Sequence, residues 1–339
     1  MTVTASDDSR PLRVLSDADV AECLDIGALL SAVAEALRAQ GRGDVERPER
    51  PHFPIGESAV PPEGGDPCSE PFGTGLVMPA YVHGSPYYAS KTASVVGDNP
   101  DRGLPTVNAS IALTDARTGL PVAYLAGNRI TNARTGCIGG LAARELATDG
   151  PIRIGVIGAG TQARWQVRAI AAATDVESVR VYSPSDSREA CAADLRAEGI
   201  DCEAVDSAAA ALCGASVVVT ATTATAPVLD GDDLDDGTVV VAVGAYTPET
   251  RELDARAVDR ATELFADVPE EAAETGDFPR HGSDALTPLS AVLEGEAGRE
   301  EPADVVVVSS VGTAVLDAAA AELVYETALR EGVGTETTL

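Results

Sequence analysis

Six residues, Ile152-Arg-Ile-Gly-Val-Ile157, read as a buried strand and run directly into Gly158-Ala159-Gly160-Thr161-Gln162-Ala163, after which helical spacing continues to about Ala173. No other feature constrains the fold as tightly. A lone G-x-G-x-x-A pattern is weak, but between a strand and a helix, inside a β-α-β unit of about 30 residues, it specifies a phosphate-binding turn. Gly158 permits the tight turn, Gly160 lets backbone approach a pyrophosphate, and Ala163 lets the helix sit close on the sheet. The N–H groups that open the helix, with its dipole behind them, receive the anion.

The pattern around that turn repeats. Strands are expected at 178–182, 202–205, 216–221, 239–243, 263–266 and 304–309, with helices at 186–198 and 207–213. Continuous apolar strands alternating with helices indicate a parallel sheet covered on both faces, so residues 151–312 read as a doubly wound α/β domain of the Rossmann type. Residues 1–150 read as an α+β domain. A helix spans 16–41, capped by Ser16 and stopped at Gly41, and a Pro- and Gly-rich stretch, 42–75, is expected to be loop with short strands. Four β segments follow between 76 and 126, and a helix covers 132–147. The segment 313–339, helical over 313–330, is too alanine-rich to stand alone and is expected to pack back on the first domain.

Charge narrows the partners. The 339 residues carry 54 acidic and 24 basic side chains, a formal charge of −30. Such a chain repels nucleic-acid phosphates. No apolar run approaches the roughly 18 residues of a membrane span, and MTVTASDDSR has no signal-peptide core, so a cytoplasmic protein is expected. Six cysteines (Cys23, Cys68, Cys137, Cys191, Cys202, Cys213) form no C-x-x-C pair, and three histidines (His52, His83, His281) have no zinc spacing. Buried or half-buried free thiols and no metal site are the reading.

Lysine is nearly absent. Of the 24 basic residues only Lys91 is not arginine. The acid surplus resembles the surfaces of proteins from extreme halophiles. It also singles out Lys91, because an ammonium can release a proton and act as a compact point charge where a guanidinium cannot. The second strand of the nucleotide half ends at Ser183, where NAD-selective sites carry an acidic residue for the ribose 2′-hydroxyl. Ser183 has no charge to repel a 2′-phosphate, and Ser185 and Arg188 lie close enough in sequence to contact one. Both NADP and NAD are candidate cofactors, and NADP is favoured.

Taken in order, Pro48-Glu-Arg50, Val77-Met-Pro79, the Lys91 strand, Arg102-Gly-Leu-Pro-Thr106, Leu113-Thr-Asp-Ala-Arg-Thr-Gly119, Ile130-Thr-Asn-Ala-Arg-Thr135, the G-x-G-x-Q turn, Gly244–Leu253 with its Arg-Glu-Leu-Asp, and Ser310-Val-Gly-Thr resemble the ornithine cyclodeaminase/mu-crystallin family over nearly the whole chain. The resemblance implies a homodimer whose substrate and dimerisation domain joins the N-terminal half to the C-terminal helix. It implies that Arg50 and Lys91 bind the substrate carboxylate or lie against its reacting carbon. Arg134 touches substrate and cofactor, and Thr106, Thr161, Gln162, Thr222, Val243 and Ser310 contact the cofactor beside Gly158 and Gly160. Ser183 occupies the position that is Asp in NAD-using ornithine cyclodeaminases.

One position departs from the family pattern. Ornithine cyclodeaminases carry an Asp two residues after the paired small residues of the Gly244 segment, and this chain has Tyr246 there. A phenol with an ordinary pKa near 10 is a poor base at neutral pH, so cyclodeamination loses its acid/base group while hydride transfer does not. Tyr246 is left as a proton donor to an imine nitrogen or as pocket wall. The expected activity is NAD(P)-dependent reduction of a small imino acid, such as Δ1-pyrroline-2-carboxylate, or amino-acid dehydrogenation. Arg50 and Arg134 would hold the carboxylate, and Lys91, desolvated between cations, would supply a proton or polarise C=N. Ornithine cyclodeaminase is the alternative, and a non-enzymatic NADPH and small-ligand binder a second one.

The charge alone generates a prediction. Self-repulsion should weaken as the Debye length falls from about 10 Å at 0.1 M salt to about 3 Å at 1 M. The melting temperature should therefore rise between 0.1 and 2 M KCl; a flat or falling value would contradict this.

Overall fold

The structure, a computed structural model, describes residues 11–56 and 71–338. The readings made for the first ten residues, for Cys68 and for 57–70 of the Pro- and Gly-rich stretch lie outside the described residues. The chain divides into two compact units.

The first unit comprises the described residues of Met1–Leu24, Asp44–Thr131 and Ala314–Leu339. Its strands are β1 (Pro11–Leu15), β2 (Val45–Glu46), β3 (His52–Ile55), β4 (Gly73–Val82), β5 (Tyr87–Val95), β6 (Val107–Asp115), β7 (Pro121–Ala126) and β16 (Thr335–Thr338). They form one sheet in the order β16-β1-β7-β6-β5-β4-β2, with β3 also paired to β4. The β4–β7 hairpins arise where alternating apolar residues are broken by turn residues. At the β6–β7 turn, the Asp115 carboxylate accepts from the N–H groups of Arg117 and Thr118, and the chain reverses at Gly119. Met78 pairs with Lys91, and Lys91 with Ile111, across β4, β5 and β6. Helix α10 (Ala314–Glu331) packs on β4 and β5, and α1 (Asp17–Cys23) packs on α10. One face of β5 is thereby buried at Ala89, Lys91 and Ala93, while Tyr88 and Thr92 on the other face are exposed.

The second unit comprises Asp25–Gly43 and Asn132–Thr313. Its strands are β8 (Ile152–Ile157), β9 (Val176–Tyr182), β10 (Cys202–Ala204), β11 (Val217–Thr220), β12 (Val239–Ala242), β13 (Ala261–Ala266), β14 (Thr287–Pro288) and β15 (Val305–Ser309), with helices α5 (Ser187–Ala197), α6 (Ala208–Leu212), α7 (Ala255–Arg260) and α8 (Pro269–Ala272) between them in sequence. The sheet runs β10-β9-β8-β11-β12-β15-β13-β14 and every pair in it is parallel. Strand order reverses on either side of β8, the switch point at which doubly wound sheets leave a crevice. The valine runs of β11, β12 and β15 are buried throughout, as strands covered on both faces must be. The Rossmann reading of this segment therefore holds. No helix among the described residues is long and apolar enough to cross a membrane.

Three details differ from the sequence reading. The helix expected over 16–41 is two helices, α1 and α2 (Ile26–Arg42), broken at Leu24, whose backbone is extended. Asp25 causes the break: its side chain accepts from the Ala28 N–H and starts a new helix, a job an aspartate does better at an N-cap than inside a helix. The apolar period runs through the break, which hides it. The boundary at residue 150 also shifts. Helix α3 (Gly127–Leu146) passes from one unit to the other at Thr131/Asn132, and α2 belongs with the second unit, where it packs on α4 (Thr161–Ala173) and α9 (Leu289–Leu293). Cys23, Cys137, Cys191 and Cys202 are buried free thiols, and burial pushes Cys137 and Cys202 up to about 12. Cys213 is exposed instead.

Helix α3 lies close on α4. A Cβ at Gly136 would come 2.5 Å from the Trp165 carbonyl oxygen, a backbone atom that cannot swing away. Gly136→Ala should therefore destabilise the protein by about 1–3 kcal/mol despite the better helix propensity of alanine. Equal or higher stability in thermal or urea unfolding would refute the close approach.

Candidate functional site

The turn after β8 has the backbone its sequence demands. Gly158 has φ +106°, its N–H donates to the Tyr182 carbonyl, and a Cβ there would lie 2.3 Å from the Ala221 carbonyl oxygen. Only glycine fits such a position. Gly160 is the extended N-cap residue of α4, and a Cβ on it would meet nothing within 4 Å. Thr161 is exposed, Ala163 is buried, and the Gln162 amide donates to Asn132 Oδ1 at 2.8 Å. Arg164 braces the turn by donating to the carbonyls of Ala159 and Gly160. The sequence reading did not pick it out.

Past β9, Ser183 is buried and Ser185 and Ser187 gather around it. The hydroxyls of Ser185 and Ser187 are 2.7 Å apart, and both reach Ser183 Oγ at 3.3–3.4 Å. Arg188 donates to the Ser183 carbonyl at 3.0 Å and to the exposed Asp206 carboxylate at 3.1 Å. This places a small cluster of hydroxyls and one guanidinium where an acidic residue would make the end of the strand negative.

Buried carboxylates tie down the neighbouring strand ends. After β11 and β12, Glu252 is fully buried and accepts from Thr220 Oγ1 at 2.8 Å, the Thr222 N–H at 2.6 Å and the Gly244 N–H at 2.7 Å. The Val243 N–H donates to the Thr220 carbonyl. Asp277 in turn accepts from the N–H groups of Glu252 and Leu253. Burial pushes the Glu252 and Asp277 carboxyls up, and these hydrogen bonds pull them part of the way back. Tyr246 extends from the same segment. Its N–H donates to Thr250 Oγ1, while the residue is 54% exposed.

Asp267, directly after β13, does the same for the end of β15. It accepts from Ser310 Oγ at 2.7 Å, the Val311 N–H at 3.0 Å and the Gly312 N–H at 2.9 Å. Burial is the largest influence and raises its pKa, whereas the three donors and the charge of Arg134 act in the opposite sense. The buried Arg134 lies beside Gly312, its Nη1 2.7 Å from where a Cβ would stand. Gln40 of α2 completes the group, donating to the Asp267 carbonyl and accepting from Thr313 Oγ1.

In the first unit, Lys91 Nζ lies 2.5 Å from Asp317 Oδ2, and the two side chains are 3% and 1% exposed. The expectation of a lysine set between cations is thus corrected: α10 brings it a carboxylate. Arg50 is half-buried in the connection between β2 and β3. The next residue, Pro51, accepts from the Val77 N–H, so Arg50 is tied to β4 one residue from the Met78–Lys91 pair. Thr106 precedes β6, and its carbonyl accepts from the Val96 N–H.

The sequence reading missed Glu252, Asp267 and Asp317 as site-building residues. Asp317 carried a readable signal, an acid inside the apolar run Ala314-Val-Leu-Asp-Ala-Ala-Ala-Ala. Such a residue is rarely buried without a partner. Asp267 carried none, since an acid after a strand is commonplace.

A profile of the ornithine cyclodeaminase/mu-crystallin family matches residues 12–332. The chain is 34% identical over 272 residues to a Δ1-pyrroline-2-carboxylate reductase of Bacillus cereus, covering 77% of this chain and 83% of that one. Among solved structures, the Δ1-pyrroline-2-carboxylate reductase of Thermococcus litoralis in complex with NADH and L-proline superposes with a TM-score of 0.87 at 31% identity, over 96% of this chain and 99% of that one. An archaeal alanine dehydrogenase dimer with bound NAD gives 0.87 at 28% identity, over 97% and 100%.

Glu252 generates the prediction for this region. Glu252→Gln keeps the shape but turns an NH2 group toward donors that need an acceptor. Leaving even one buried donor unmatched costs about 1–3 kcal/mol. A clear fall in melting temperature is expected, and unchanged stability would show that these donors do not depend on the carboxylate.

Proposed function

We propose that this chain, which belongs to the ornithine cyclodeaminase/mu-crystallin family, is an NAD(P)H-dependent reductase of small imino acids, with reductive amination of a 2-keto acid as the closely related reaction. The reading is carried by one conjunction: a phosphate-binding turn at the switch point of a parallel sheet, in a chain similar along its length to a pyrroline-carboxylate reductase described with NADH and L-proline.

The residues present fit a dinucleotide. Gly160 leaves open space at the start of α4, where a pyrophosphate binds. Gly158, Gly160, Thr161 and Gln162 would hold the phosphates, with Thr106, Arg134, Thr222, Val243 and Ser310 as the further contacts implied by the family. Gln162 would serve the phosphates through its backbone N–H, and its buried side-chain Oε1, without a partner among the described residues, would accept from a hydroxyl of the cofactor. Ser183, Ser185 and Arg188 would receive a ribose 2′-phosphate, which favours NADP(H). When bound, the cofactor supplies the hydride. Arg50 and Arg134 hold the substrate carboxylate by charge-assisted hydrogen bonds. Lys91 serves the imine nitrogen.

Tyr246 in place of an aspartate disfavours the lyase reading, because a mostly exposed phenol is no substitute for a carboxylate base. A homodimer through the face of the first unit's sheet opposite α10, where Val14, Tyr88 and Tyr124 are exposed, belongs to the same proposal. So does a cytoplasmic location.

The test is a panel of cyclic imino acids, and of 2-keto acids with ammonia, assayed with NADPH and NADH in molar KCl and in low salt. Reduced cofactor should be consumed, NADPH should serve at least as well as NADH, and Ser183→Asp should move the preference toward NADH by repelling the 2′-phosphate. Release of ammonia from ornithine without net change in reduced cofactor would establish the lyase instead. Tight cofactor binding with no turnover would leave a binding protein.

A further inference from the structure

We infer that Asp317 is the positioning residue for Lys91, and that the pair serves proton delivery to the substrate nitrogen rather than anchorage of its carboxylate. The inference rests on the reductase reading above and deepens it.

The register makes the case first. Lys91 occupies an inward position of β5 whose same-face neighbours on the strand, Ala89 and Ala93, are both buried. Its partners across the sheet, Met78 and Ile111, are uncharged. A lysine at such a place loses most of its hydration, and a protein retains it only with a compensating charge. Helix α10 supplies that charge from its first turn, where Asp317 also gains from the positive end of the helix dipole. Both partners are as deeply buried as core residues. Stability alone does not require them, because a well-packed apolar pair at such a site is commonly as stable or more so.

Charge accounting then separates the two roles. An ammonium at 2.5 Å from a carboxylate forms a pair with no net charge. An incoming substrate carboxylate gains little from a neutral pair. Proton transfer has the opposite requirement. As the substrate carbon takes the hydride, the C=N π electrons become a lone pair on nitrogen, an Nζ–H bond breaks and a new N–H bond forms. Nζ keeps its electron pair as a neutral amine. Asp317 remains ionised and accepts a hydrogen bond from that amine, which regains its proton from water. Asp317 fixes the direction of Nζ throughout. An arginine at position 91 could not do this, because a guanidinium does not give up its proton in proteins. This gives a physical reason for the only lysine in the chain.

That uniqueness also supplies the experiment, since lysine labelled at 15Nζ gives a single side-chain ammonium signal. In the unliganded wild-type protein this signal should persist at neutral pH as a slowly exchanging ammonium, and exchange as fast as that of an exposed lysine would refute the pair. In kinetics with the imino acid, Asp317→Asn should lower kcat by about 10²-fold with KM changed less than threefold, and Asp317→Glu should recover at least tenfold of that loss. A purely structural role would not produce this split or the rescue. A higher KM at unchanged kcat would show that the pair anchors the carboxylate and overturn the inference. If Asp317→Asn does not fold, the apolar double variant Lys91→Met/Asp317→Leu should fold, bind cofactor as wild type does, and show no turnover; turnover within tenfold of wild type would overturn the inference. Wild-type protein inactive on every imine and keto acid would overturn the reductase reading and this inference together, whereas Asp317→Asn with wild-type kcat in an active enzyme overturns this inference alone.

Discussion

A parallel sheet leaves backbone N–H groups without partners where its strands stop, and in this protein buried carboxylates take them. Glu252 accepts from Thr222 and Gly244, Asp277 from Glu252 and Leu253, and Asp267 from Val311 and Gly312. Six N–H groups beyond β11, β12 and β15 thereby gain acceptors at buried or half-buried positions. Each left unsatisfied would cost as much as a lost hydrogen bond. Thr222 and Ser310 are held directly by these carboxylates. Among the described residues the buried acids are Glu252, Asp267, Asp277 and Asp317.

The first unit solves a different problem with the same chemistry. Its sheet is covered on one face by α10, and the period-two pattern of β5 buries a lysine where its neighbours on that face are alanines. Asp317 makes that burial tolerable. Loss of either partner from a buried ion pair typically costs about 3–5 kcal/mol, because the remaining charge is stranded. Such a site is expensive to keep unless the charge is used, and a reaction that places a proton on nitrogen uses it.

The sequence made the local features legible and left the distant ones hidden. The turn at Gly158, the valine strands and the β4–β7 hairpins are written in periods of a few residues, and the structure has them within a few residues of where the pattern puts them. The break at Asp25 was masked because the apolar period of α1 continues into α2. The pairing of Lys91 with Asp317 spans 226 residues, and no local pattern reports a contact of that range. Lys91 itself was legible only because composition made it unique. Glu252 lies in a motif that marked the family, but the sequence did not show that its side chain would bind backbone rather than ligand.

The turn at Gly158 is what a dinucleotide calls for, and Tyr246 stands where ring closure from ornithine calls for a carboxylate. In the proposed reaction a hydride leaves the nicotinamide and remains in the product. Reduced cofactor deuterated at both C4 positions, incubated with the imino acid, tests this directly by mass spectrometry of the product. One deuterium at the α-carbon of the amino acid, with one cofactor oxidised for each product molecule, is the predicted result. An unlabelled product, or product formed without oxidation of the cofactor, would contradict it.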